Sequence, residues 1–272
     1  MRAYVLLLVL ILIPNLWAKD SFEKNLQLDC QGITKLHVEA GAGFLKIQGV
    51  EGAKRIEVLA EIVPNGATRQ SINQNLTLTL KKIGNQAVLI SKVKDRGLFE
   101  WLLGQTGNVE VNLTVHVPSD LLVEAIDGSG STEISGLRNN LSVTDGSGRL
   151  SVHHITGNVH ITDGSGELTV DHISGSCHVI DGSGSTELKK ITGDVEITDG
   201  SGELILEEIG GDADVTDGSG NIRAERIHGT LTIRDGSGDI HATSIGSDLI
   251  IESDGSGEVF TRHIKGQIVQ RR

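Results

Sequence analysis

The sequence predicts an all-β chain wound into a parallel β-solenoid, and three observations carry that prediction. The tetrapeptide Asp-Gly-Ser-Gly occurs eight times, beginning at Asp127, Asp145, Asp163, Asp181, Asp199, Asp217, Asp235 and Asp254, at intervals of 18 residues six times and then 19. Apolar residues return to the same places within each interval, as repeat architectures require. Glycine supplies 35 of 272 residues, while proline numbers 3 and aromatics make up 3%. Transmembrane bundles, coiled coils, collagens and disulfide-stapled miniproteins each need runs or counts that are absent. The scarcity of aromatics also argues against stacking platforms for bases.

Numbering each repeat from its Asp as place 1, the apolar places are 6, 8, 11, 15 and 17, as in Leu168, Val170, Ile173, Cys177 and Val179. Places 6 and 8, and again 15 and 17, alternate with period 2, which marks strands with one buried face. The odd step from 8 to 11 and the glycine at 13, seen in Gly157, Gly175, Gly193 and Gly211, mark corners. Asp-Gly-Ser-Gly makes the third, because Asp bonds to nearby backbone N–H groups and Gly accepts positive φ. One such coil cannot bury its own apolar face, so coils stack; eight at the strand spacing of ~4.8 Å make a rod of roughly 38 Å.

Upstream of the repeats, Met1-Arg2-Ala3, the apolar run Tyr4–Ile13 and the small Ala18 read as a signal peptide over 1–18. Export to the periplasm is therefore expected, with the cell surface or secretion as alternatives. Residues 19–126 read as an irregular β cap continuous with the solenoid, and 127–272 as the solenoid itself. Within the cap, Ala40-Gly41-Ala42-Gly43 is a worn copy of the corner, and strands are predicted at Ile56–Ile62, Leu76–Lys82, Ala87–Val93 and Val109–Val117. The loop Gly97–Gly104 holds Phe99 and Trp101 and is expected to fold as a flap over the cap. Its alternative is a docking patch for a membrane or a partner. At the other end, the charges of Arg271 and Arg272 are expected to discourage pairing on the last strand edge.

The strand end at Val117-Pro118, the run Asp127-Gly-Ser-Gly-Ser-Thr-Glu-Ile134 and the repeated Gly-Ser-Gly corners resemble the bacterial putative-adhesin family of β-strand-repeat domains of unknown function. The resemblance spans most of the chain beyond the leader. It implies a right-handed β-helix-like fold and an envelope or surface location, and it carries no catalytic residues to transfer.

Residues 19–126 hold 12 acids and 12 bases, whereas 127–272 hold 24 acids and 11 bases. That acidic excess excludes nucleic acid as an expected partner. Ser and Asp recur identically in eight corners, while a nucleophile needs one singular, supported geometry, so no enzyme is expected. The expected function is a structural or adhesive module meeting an envelope protein or glycan; a polysaccharide-binding or polysaccharide-cleaving β-helix is the alternative.

Three features are candidates for ligand chemistry. His160, His178 and Glu196 share place 16 in successive coils, and two imidazoles with a carboxylate suit a transition metal. The preferred reading is an exposed polar face, since stacked coils set side chains in a flat row. His154 and His172 form a second column at place 10. Along the Asp column, carboxylates about 4.8 Å apart repel by roughly 0.9 kcal/mol per pair at the dielectric of water. Backbone N–H groups of the corners, helped by Ser129-type hydroxyls, are expected to offset this. Bridging Ca²⁺ or Mg²⁺, at Asp181 and Asp199 for example, is the alternative, and no cofactor is otherwise expected. Cys177 stands where other coils have Val159 and Val195, so a buried free thiol is expected rather than a bridge to Cys30.

Overall fold

The computed structural model describes residues 21–94 and 109–271, and apart from one seven-residue helix its regular structure there is β. From residue 122 onward the chain repeats one motion. It runs along a short strand over places 15 to 1, turns through Gly-Ser, follows a longer strand over places 4 to 11, and turns again. In the first such unit the corner is extended, so that β7 (Leu122–Ser135) is continuous. As far as Asp235 the following units alternate strands of five and eight residues, beginning with β8 (Leu141–Asp145) and β9 (Gly148–Ile155). Each strand pairs in parallel with its equivalent one coil away, Val159 with Cys177 and Leu168 with Thr186. In every coil but the last, places 6, 8, 11, 15 and 17 face inward and are 0–2% exposed, as in Leu204, Leu206, Ile209, Cys177 and Val179. Five such side chains per coil, each contributing about 1.5–3 kcal/mol on burial, hold the stack together.

The corner between places 8 and 11 has an unexpected residue chemistry. Place 10 is left-handed in all eight coils, with φ 73° at Gly136 and between 52° and 61° at His154, His172, Lys190, Glu208, Arg226, Ser244 and His263. The strand ladder skips this residue, passing from Asp171↔Lys189 to Ile173↔Ile191. It is a bulge that turns the strand and returns place 11 to the core. The 19-residue interval is absorbed similarly, by a register shift after Ile233↔Ile251 that pairs Arg234 with Ser253.

The stack does not begin at residue 127. Strand β2 (Lys35–Val50) lies in parallel register with β7, pairing Ala40 with Asp127, Ala42 with Ser129 and Gly43 with Gly130. On its far side β2 pairs in parallel with β5 (Gln86–Val93) and β6 (Glu110–Pro118), which together occupy the place of one more coil. Three antiparallel strands then close that end: β1 (Phe22–Asp29) on β3 (Arg55–Val63), β3 on β6, and β4 (Leu76–Ile83) on β5. The polar stretch after Pro64 contains α1 (Arg69–Asn75), where Thr68 caps the helix by accepting the Ser71 N–H and Ile72 is buried. The loop with Phe99 and Trp101, the leader 1–18 and Arg272 lie outside the described residues. At the opposite end, β21 (Val259–Ile264) and β22 (Ile268–Gln270) are paired on one side only, leaving Phe260 46% and Ile268 52% exposed.

Candidate functional site

A groove of about 850 Å³ runs along the flank formed by the short strands. Seven stacked levels, from Leu122 to Thr230, contribute to it, so it extends roughly 29 Å at the strand spacing. Its floor is the back of place 15, where Leu141, Val159, Cys177, Val195 and Ala213 pack inward. Its two rims are the outward columns at places 14 and 16.

Place 14 must satisfy a structural demand. The corner after Gly at place 13 leaves a backbone N–H pointing along the axis, and a short acceptor one coil earlier meets it. Asn140 Oδ1 accepts the Asn158 N–H (2.9 Å) and Asn158 Oδ1 that of Ser176 (3.0 Å). Ser176 Oγ accepts the N–H of Asp194 (3.2 Å), Asp194 Oδ1 that of Asp212 (2.9 Å), and Asp212 Oδ1 that of Thr230 (2.7 Å). Sequence reasoning missed this ladder, although Asn, Ser, Asp and Thr at one fixed place were its visible signal.

Place 16 brings together the predicted His160, His178 and Glu196. The two imidazoles stack with centroids 4.8 Å apart and planes 6° from parallel, and His178 Nδ1 lies 3.0 Å from Glu196 Oε2. Further along, Asp214 accepts a hydrogen bond from Arg234 at 2.6 Å. Parallel rings direct their nitrogens side by side instead of toward a shared centre. No group of three or more His, Cys, Asp or Glu among the described residues is arranged to hold a metal ion. His154 and His172 stack on the other corner, 5.0 Å between centroids.

Asp181 and Asp199 are not part of the groove. They end β12 (Cys177–Asp181) and β14 (Val195–Asp199) in mutual register, and both are 2% exposed. The column is internal: Asp127, Asp145, Asp163, Asp181, Asp199, Asp217 and Asp235 all point inward and are 2–3% exposed. Place 1 lies two residues beyond the buried place 17, so the strand alternation carries it into the core. Backbone N–H groups do engage the column, those of Ser183, Ser201, Ser219 and Ser237 reaching Oδ1 of their own corner Asp at 3.0–3.2 Å. The hydroxyls that help belong to threonines at place 6 and not to the corner serines: Thr132 donates to Asp127 Oδ2 (3.2 Å) and Thr186 to Asp181 Oδ2 (2.8 Å). Both cysteines are free, and burial pushes the Cys177 thiol up to about 12, which makes it a poor nucleophile at neutral pH.

No curated protein matches the chain. Solved structures similar to it include a putative lipid binding protein from Parabacteroides distasonis, 14% identical over 91% of this chain and 97% of that one, with a TM-score of 0.45. A putative cell adhesion protein from Clostridium sporogenes is 13% identical over 93% and 100%, with a TM-score of 0.31. A putative adhesin from Bacteroides fragilis is 11% identical over 92% and 97%, with a TM-score of 0.35. The Toastrack DUF4097 family model matches residues 33–265, a span that takes in the worn copy, two of the three closing strands and all the coils up to the last short strand. By that match the chain belongs to the Toastrack DUF4097 family.

Proposed function

We propose that the protein is an exported, non-enzymatic module of the bacterial envelope, structural or adhesive in role, which meets a surface protein or glycan along its flank groove. The observation that carries this reading is the groove itself. It is long and open, and its polar side chains come as columns repeated coil after coil. Such a surface offers many similar weak contacts to an extended partner, and the strand ladder beneath keeps them pre-organised, which lowers the ordering cost of binding. The leader-like residues 1–18 support export, and the acidic excess of the repeats argues against a nucleic-acid partner.

A polysaccharide ligand is the second reading, favoured by the hydrogen-bonding His178–Glu196 pair and by the Asp194 and Asp212 carboxylates on the rims. The test combines His178→Ala, Glu196→Ala and Asp214→Ala, whose side chains accept no backbone N–H and so leave the rim ladder intact. Retention of an envelope glycan or of an identified surface protein by the parent chain, lost in the triple variant at unchanged melting temperature, is the expected result. Retention unaffected by the three substitutions would remove the groove from the reading. Release of soluble sugar from any polysaccharide would overturn its non-enzymatic part.

A further inference from the structure

The buried aspartates divide into two sets according to the residue at place 6 of the same coil. Where that residue is Thr132 or Thr186, its hydroxyl satisfies Oδ2. Where it is Leu150, Leu168, Leu204, Ile222 or Ile240, the Oδ2 atoms of Asp145, Asp163, Asp199, Asp217 and Asp235 have no hydrogen-bond partner among the described residues. At Asp145 and Asp163 the corner N–H groups lie near enough to favour the carboxylate, yet neither oxygen has a well-aligned bond. A buried, unpaired carboxylate is expensive, so the folded chain must neutralise these groups.

A metal ion fits poorly. Calcium takes six to eight oxygens, whereas each gap in the column offers carboxylates from two coils walled by leucine or isoleucine. A proton fits well, because it removes the repulsion between coils and turns an acceptor-only group into a donor that can reach the next carboxyl. The charged groups acting on the column are its own members. Asp145 acts on Asp127; Asp145 and Asp181 on Asp163; Asp181 and Asp217 on Asp199; Asp217 and Asp254 on Asp235. From the long strands packed opposite, the side chains at place 6 are apolar or threonine. Burial, as the first cause, pushes Asp127 up to about 7 and Asp163, Asp199 and Asp235 up to about 6, and it raises Asp145 and Asp217 as well.

We propose that the aspartate column is a proton-loaded ladder inside the solenoid, in which the carboxyls facing leucine or isoleucine are neutral acids whose deprotonation loosens the stack. The unfolded chain releases these protons near pH 4, whereas the folded chain keeps them to higher pH. Their contribution to stability is therefore full below about pH 4, is lost as pH rises from there through about 6, and levels off above. Neighbouring carboxyls titrate as a coupled set, so the loss is spread over that window.

The experiment compares urea midpoints at about pH 5 and about pH 8 for three chains: the parent, the double variant Leu168→Thr with Leu204→Thr, and the double variant Asp163→Asn with Asp199→Asn. Infrared spectra at about pH 5.5 record protonated carboxyl. The parent should lose midpoint between the two pH values and show the protonated band. The asparagine variant should lose less midpoint and have a weaker band. The threonine variant, which supplies the missing donors without removing a carboxyl, should also lose less midpoint. A parent midpoint unchanged or higher at the alkaline pH, an absent band, or a pH response identical in all three chains would overturn the proposal.

Discussion

Two of the corners in each coil solve the same steric problem with opposite chemistry. At Asp-Gly-Ser-Gly the backbones of successive coils approach so closely that a Cβ on Gly184 would lie 1.7 Å from the Gly166 carbonyl oxygen, and its φ is 142°. Only glycine can occupy that place, and the motif is correspondingly uniform. At place 10 the left-handed residue points its side chain away from the core, so His, Lys, Glu, Arg and Ser all occur there at φ of 52–61°. A close backbone approach makes a corner uniform in sequence, whereas backbone strain with open space beside it leaves the corner variable.

Substitutions at the two corners should therefore differ in sign. The largest effect is expected from Gly184→Ala, where a forbidden φ and a backbone clash act together and destabilise by about 3 kcal/mol or more, read as a drop in urea midpoint. A cost similar to that of substituting place 10 would break the comparison. Next comes Thr132→Val, which keeps the shape but strands Asp127 Oδ2. It should cost about 1–3 kcal/mol, and more at pH 8 than at pH 5, because Asp127 titrates near 7 and only its charged form needs the donor so badly.

Lys190→Gly, at φ 52°, should stabilise by roughly 0.5 kcal/mol: relief of left-handed strain outweighs the added freedom of the unfolded chain. A destabilised variant would show that the bulge is held by its side chain after all. The smallest effects are expected at the groove and from calcium. His178→Ala loses one exposed pair with Glu196 and should change stability by less than about 1 kcal/mol, with zinc retention in equilibrium dialysis no different from the parent. Melting in millimolar calcium and in EDTA should differ by no more than ionic strength explains. A large calcium-specific rise, abolished by Asp181→Asn with Asp199→Asn, would replace protons by ions in the column.

Much of the architecture was legible because a solenoid translates sequence period directly into space. The 18-residue spacing fixed which residues stack, and the worn copy at Ala40–Gly43 aligned with Asp127–Gly130 residue for residue. The four strands expected in the cap match β3 to β6 to within a residue or two, whereas β1 was not expected. The short α1 was not: a seven-residue helix carries too little periodicity, and its sign was only the Thr68 cap and the buried Ile72. Of the candidate site, the column of His160, His178 and Glu196 followed from counting, while the Asn140-to-Thr230 rim did not, since polar residues after a glycine corner read equally well as loop.

What the sequence by itself determined is the list of neighbours. Period, register and the five apolar places are properties of one coil, and identical coils can stack only on their equivalents. What only the tertiary structure decided is direction and depth. The corner aspartates turn inward because strand alternation carries place 1 into the core beside place 6, and whether each meets a hydroxyl or a leucine depends on a contact across the corner. The groove exists because the rims at places 14 and 16 rise on either side of a floor that packs inward. Sequence specifies which groups share a column, and the closing of each coil on itself sets whether that column faces water or the core.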